Sequence, residues 1–217
     1  MLNSSARAHV NRVTDPIGRW LVGRGITPDA VTVAGTVGSV AAALWFLPRG
    51  ELVAGTLVIT LFVLFDLIDG AMARARGRST VFGAVLDSTC DRIADGALFA
   101  ALAWWCLGVG DQRTLGVAAL VCLVAGQLVS YIKARAEGAG LSADGGLVER
   151  AERLIIALVG TGLHGLGVPY ALHVALWVLA AASVWTVGQR IAAVHRSARA
   201  HEAGRGAPDP ADPAPNP

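Results

Sequence analysis

Asp66 and Asp69 stand three residues apart, Asp87 and Asp91 four apart, so each pair can share one face of a helix. The first pair lies in the apolar run 52–74 and the second in the run 82–107, on either side of a basic turn near Arg78. Counted outward from that turn, Asp69 and Asp87 fall at similar depth, and so do Asp66 and Asp91. At 1.5 Å of rise per residue, the four carboxylates lie about 10–20 Å in from the turn and can face one another. Four such charges repel unless cations neutralise them. Hard divalent ions with oxygen ligands answer that need, and Mg²⁺ or Mn²⁺ suits a phosphate-bearing substrate. Spacing alone leaves two other readings open. The aspartates can be helix-end residues paired with Arg74 and Arg92, or they can line the path of a divalent metal-ion transporter.

The elements that must position them are membrane helices. Of 217 residues, 54% are hydrophobic and only 16% charged, against the roughly 25% usual in soluble domains, which excludes an ordinary soluble protein. Six apolar segments approach or reach the about 20 residues needed to cross a bilayer. They cover 29–47, 52–74, 82–107, 114–136, 148–166 and 170–194, the fifth being short and glycine-rich. The expected fold is thus all-α and integral to the membrane, with six transmembrane helices.

Before the first span, the mixed basic and apolar residues 9–25 suit an interfacial helix, and the N-terminus has no apolar core of signal-peptide length. Three parts follow: a juxtamembrane amphipathic segment 1–27, a six-helix domain 28–200, and a Pro-rich tail 201–217 expected to be disordered.

Basic residues cluster at alternate ends of the spans. Arg7, Arg12, Arg19 and Arg24 precede the first, and Arg74, Arg76 and Arg78 follow the second. Lys133, Arg135, Arg150 and Arg153 flank the fourth connection, and Arg190, Arg196, Arg199 and Arg205 close the chain, whereas the opposite ends hold only Arg49 and Arg113. By the positive-inside rule both termini and the aspartates are cytoplasmic, at the cell membrane, which requires an even number of spans. Cys90, Cys106 and Cys122 lie in apolar stretches without ligand spacing, and the five histidines are scattered, so the carboxylates remain the metal candidates. The formal net charge of +2 is small, and no nucleic-acid partner is expected.

Residue order adds more than spacing does. Asp66-x-x-Asp69-Gly70-x-x-Ala73-Arg74, eight residues, then Gly83-x-x-x-Asp87-x-x-x-Asp91 resembles the complete signature of the CDP-alcohol phosphotransferase family. The six-span pattern extends the resemblance over most of the chain, and it displaces the transporter reading. It implies two metal ions held by Asp66, Asp69 and Asp87, with Asp91 bridging to them and acting as general base. Two such ions clamp the diphosphate of a CDP-lipid and stabilise charge as CMP departs. The resemblance also implies donor contacts from Asp69, from Gly70, which lets the nucleotide approach the helix, from Arg74 on the diphosphate, and from Thr80. Thr27-Pro28-Asp29 resembles the family's short motif before the first membrane helix; read alone it is a helix cap. Gly83 serves either the ligand or close helix packing. Asp95 falls outside the signature and is read as structural or supporting.

Lys133, Arg153 and Arg190 end or begin spans on the aspartate side, and such a basic pocket suits an acceptor that already carries phosphate. Ordinary positive-inside charges touching lipid headgroups are the alternative. The stretches SYIKARAEGAGL and VERAERLI resemble a bacterial branch of the family that joins CDP-diacylglycerol to inositol 1-phosphate, giving phosphatidylinositol phosphate and CMP. That resemblance implies that Lys133, Arg153 and a basic residue near the end of the sixth span, Arg190 rather than Arg196, hold the acceptor phosphate. Glycerol 3-phosphate, giving phosphatidylglycerophosphate, is the alternative acceptor. A lipid donor further implies a groove open to the bilayer, and the family implies a homodimer. Gly35, Gly38, Gly126 and residues 180–183 can pack helices closely within or between subunits.

Overall fold

The structure is a computed structural model that describes residues 4–75 and 80–205, without the side chains of 4–11, 13, 66, 67, 204 and 205. Among the described residues there are eight α-helices and no strands: α1 (Ser4–Gly23), α2 (Pro28–Phe46), α3 (Leu52–Val63), α4 (Phe65–Ala75), α5 (Val81–Leu107), α6 (Arg113–Gly138), α7 (Arg150–Gly165) and α8 (Ala171–Arg205). Local chemistry sets several of the ends. Thr27 caps α2 by accepting a bond from Ala30 N at 3.2 Å, with Pro28 and Asp29 in the first turn. Thr80 caps α5 through Gly83 N at 2.9 Å. The α2–α3 connection turns through a short 3-10 stretch, Leu47–Arg49, and Gly50 at φ +80°, a value that favours glycine.

The all-helical expectation agrees with the structure. Four stretches are long and apolar enough to cross a membrane: Pro28–Arg49, Leu52–Ala75, Arg113–Gly138 and Ala171–Ala203. α5 has 27 residues, or about 40 Å of helix, but Asp87, Asp91, Arg92 and Asp95 interrupt its apolarity. α7 has 16 residues and is short, as its sequence suggested. Two details differ from expectation. The second apolar run breaks at Leu64 into α3 and α4, where Gly35 of α2 comes so close that an added Cβ would lie 3.0 Å from Phe65 Cβ and 3.3 Å from Phe62 O. The last helix runs to Arg205, past the expected start of the tail at 201; residues 206–217 lie outside the description.

α2, α5, α6 and α8 form the centre, with α3 and α7 packed on one side and α1 and α4 on another. Small side chains fill its interior, among them Ala101, Ala118, Ala119, Cys122 and Ala157, beside Leu98, Leu102, Leu115 and Leu176. Large apolar residues such as Leu57, Val124, Val174 and Trp185 point outward. A soluble protein rarely leaves so much apolar surface exposed, whereas a bilayer solvates it. The protein is an integral membrane protein, close-packed through small residues. Gly35 and Gly38 receive Phe65 and Phe62, so both act within the subunit.

Candidate active site

Asp66, Asp69, Gly70 and Arg74 are carried on α4, and Gly83, Asp87, Asp91 and Asp95 on α5. The two helices do not pack extensively on each other among the described residues. α4 rests on α1 and α2, and α5 on α2 and α6, so α2 sets the separation of the two aspartate faces. Asp69 is buried, and its Oδ2 accepts a 2.6 Å hydrogen bond from Thr32 Oγ1 of α2. Thr32 was not singled out from sequence. It lies three residues after Asp29, on the same helix face, and that periodicity was the available signal.

The first turn of α2 also meets the first turn of α5. A Cβ on Gly83 would lie 2.9 Å from Thr80 Oγ1 and 3.3 Å from Asp29 Oδ1, so glycine here serves the cap and the approach of the two helix ends. Thr27, Pro28, Asp29 and Thr80 are thereby gathered at two helix N-termini, which favour phosphate. Gly70 differs: among the described residues an added Cβ would meet only Arg74 Nη1, at 3.6 Å. Arg74 pairs with Asp15 of α1 at 3.2 Å, both side chains about half exposed.

Asp87 is exposed, while Asp91 is joined to Arg150 of α7, with Nη1 to Oδ1 at 2.8 Å, and lies 3.7 Å from Arg92 Nη2. One turn further along α5, the buried Asp95 is bonded to Arg153 and lies 3.4 Å from Arg150 Nε. Arg92 also bonds Ser130, and Gln127 Nε2 donates to the Arg92 carbonyl at 3.0 Å. Arg153 was expected simply as a ligand of the acceptor; it is only 2% exposed and bound to Asp95. Its guanidinium lies against Gly126 of α6, where a Cβ would come within 3.1 Å of Arg153 Cζ. Gly126 is therefore a seat for that side chain and not a subunit contact.

The arginines of these pairs help to line a cavity of about 1310 Å³, whose walls include Arg92, Lys133, Arg150, Arg153 and Arg190 but, among the described residues, none of the aspartates. Arg190 is buried and donates from Nη1 to Val129 O at 2.8 Å. Among the described residues, the Nε atoms of Arg92, Arg153 and Arg190 are buried without a hydrogen-bond partner, so the guanidinium edges that face the cavity are the ones a ligand can meet. Lys133 is half exposed and lies 4.0 Å from Glu137. Val81 and Val85, both strongly exposed, carry the cavity wall toward the apolar outer surface.

The donor set on α4 and α5 is carboxylate oxygen, the chemistry a hard divalent ion takes, and a buried carboxylate held by a hydroxyl is pre-oriented for one. Among the described residues no three His, Cys, Asp or Glu side chains converge, and the Asp66 side chain lies outside them.

The family model for CDP-alcohol phosphatidyltransferase matches residues 25–188, and the chain belongs to that family. Its relatives are specific. The chain is 54% identical to the phosphatidylinositol phosphate synthase of Mycobacteroides abscessus over 86% of its own length and 85% of the relative's. Against the phosphatidylinositol phosphate synthase of Streptomyces avermitilis the figures are 52%, 90% and 83%. The crystal structure of Mycobacterium tuberculosis phosphatidylinositol phosphate synthase with CDP-DAG bound is similar at a TM-score of 0.83 and 54% identity, over 86% of this chain and 95% of that one. The same enzyme in complex with manganese and citrate is similar at a TM-score of 0.82 and 55% identity, over 85% and 90%.

Proposed function

We propose that the protein transfers the phosphatidyl group of CDP-diacylglycerol to inositol 1-phosphate, giving phosphatidylinositol phosphate and CMP. The observation that carries this reading is the arginine-lined cavity: it offers several guanidinium groups to a phosphate, and one of them, Arg150, also pairs with Asp91. The high identity to relatives named for that reaction supports the same acceptor.

In this reading the first turns of α2 and α5, with Thr27, Pro28, Asp29 and Thr80, take the nucleotide end of the donor, and the open side of Gly70 admits it. Arg74 lies on the diphosphate, and the acyl chains leave toward lipid past Val81 and Val85. Asp66, Asp69, Asp87 and Asp91 hold two divalent ions, Mg²⁺ or Mn²⁺. When bound, the ions supply charge neutralisation at the diphosphate. Lys133, Arg153 and Arg190 grip the acceptor phosphate and direct an inositol hydroxyl toward Asp91. The hydroxyl oxygen attacks the lipid-side phosphorus, Asp91 takes its proton, and the P–O bond to CMP breaks with the electron pair leaving on CMP.

Purified protein given CDP-diacylglycerol, Mg²⁺ and inositol 1-phosphate should release CMP, and a chelator should abolish the release until Mg²⁺ or Mn²⁺ is restored. CMP release with glycerol 3-phosphate alone would move the assignment to phosphatidylglycerophosphate synthesis. Chelator-resistant release would remove the metal site. Gly70→Ala places a methyl where, among the described residues, only Arg74 stands nearby, so stability should hold. The donor KM should rise about tenfold, equivalent to about 1.4 kcal/mol; an unchanged donor KM would take the nucleotide away from this helix.

We further propose six spans, with α5 and α7 completing the set, and a cell-membrane location with both termini and the site cytoplasmic. The clustering of basic residues supports this, and a C-terminal reporter active only outside the cytoplasm would overturn it. The working assembly is a homodimer, as in the family; a monomer mass by light scattering of active protein would argue against it.

A further inference from the structure

Asp95 lies one helical turn beyond Asp91 on α5 and outside the signature spacing. Its carboxylate is buried in a helix at membrane depth, where an ionised group is retained only with partners. It has three: Arg153 Nη2 on Oδ2, Arg150 Nε at 3.4 Å from Oδ1, and Arg92 Nη2 at 3.9 Å from Oδ2. Arg150 then reaches on to Asp91, with Nη1 at 2.8 Å from Oδ1. One guanidinium thus spans two carboxylates a turn apart, and one buried carboxylate gathers three guanidiniums that would otherwise repel one another.

We infer that Asp95 is the positioning residue of the acceptor site. It holds Arg153 and Arg150 so that their remaining N–H groups line the cavity. Through Arg150 it fixes where those groups stand relative to Asp91. The inference rests on the reading of the cavity as the seat of the acceptor phosphate.

Two features favour this over a simple fastening of one helix to another. α5 and α7 are not extensively packed among the described residues, so these arginines reach across a space that helix contact does not close. α6 also gives up a side chain at Gly126, where the Arg153 guanidinium rests, so the surrounding structure is shaped around the orientation that Asp95 imposes. Arg153 makes a fixed bond through Nη2 while its side chain forms part of the cavity wall. A guanidinium held by a carboxylate in the wall of a cavity suits recognition of a phosphate.

The test compares full-length wild type with Asp95→Asn and Asp95→Glu in lipid nanodiscs, measuring acceptor KM, donor KM and kcat by CMP release. Asp95→Asn should raise the inositol 1-phosphate KM by at least about tenfold and leave the donor KM within about twofold. Asp95→Glu, which keeps the charge, should recover part of the loss. An unchanged acceptor KM, or equal rises for both substrates, would overturn the inference. Should Asp95→Asn fail to fold, Arg150→Lys carries the same test: it keeps the charge but cannot touch both carboxylates. It should show the same split between the two KM values, and its absence would be decisive against us. Wild type that uses glycerol 3-phosphate in place of inositol 1-phosphate would sink the substrate assignment, and the split is then read with that acceptor. Wild type that uses no phosphorylated acceptor would sink both readings.

Discussion

Asp91→Asn is expected to reduce kcat by about 10³-fold or more while leaving the protein folded in the membrane, within the range that a positioned general base contributes. Asparagine matches aspartate in shape, so the packing of α5 against α6 is undisturbed. It retains one oxygen to accept from Arg150, which now sits 2.8 Å from the carboxylate. The substitution removes a negative charge, one carboxylate ligand of the proposed ions and the capacity to take a proton, so metal affinity is measured alongside turnover. Turnover should therefore collapse, with donor binding, measured as CMP or CDP-lipid affinity, falling much less. Turnover near the wild-type level would remove Asp91 from the base role. A parallel loss of donor affinity and folded protein would mean that the Asp91–Arg150 pair is mainly a structural tie.

The sequence made the chemistry of this site legible because that chemistry depends on residue type and spacing along single helices. The three- and four-residue intervals of Asp66, Asp69, Asp87 and Asp91 survive any arrangement of helices, and so do the caps at Thr27 and Thr80. What depends on contacts between helices was hidden. Thr32 reads as an ordinary threonine in an apolar helix until α2 is placed against α4, where it bonds Asp69. Gly126 reads as a helix-packing glycine until Arg153 is found resting on it. The break at Leu64 leaves no Gly or Pro in the run 52–74 near it, so no local signal marked it. Four of the six apolar segments are long and apolar enough to cross a membrane, whereas the charges of α5 defeat a criterion based on apolarity alone. That failure is informative, since the charges that interrupt α5 include Asp87 and Asp91, two of the four signature aspartates.

Lys133→Ala and Arg153→Ala remove one cation each from the same cavity, and they should differ sharply. Lys133 is half exposed, and its contact with Glu137 at 4.0 Å is an i, i+4 surface pair, worth about 0.3–0.5 kcal/mol. Its loss should raise the acceptor KM with no measurable change in thermal unfolding. Arg153 is buried against a buried Asp95, and breaking such a pair from one side costs about 3–5 kcal/mol because a charge is left behind. Arg92 and Arg150 still face Asp95, which places the expected cost toward the lower end of that range. Arg153→Ala should therefore lower both unfolding temperature and acceptor affinity. Adding Asp95→Asn to Arg153→Ala separates the two effects. The double variant removes the stranded charge and should regain part of the lost stability, but the acceptor KM should stay high because Arg153 is still missing and Asp95 no longer holds Arg150. Recovery of stability and KM together would show that Arg153 acts through folding alone, and the acceptor phosphate would then have to be assigned to Lys133 and Arg190.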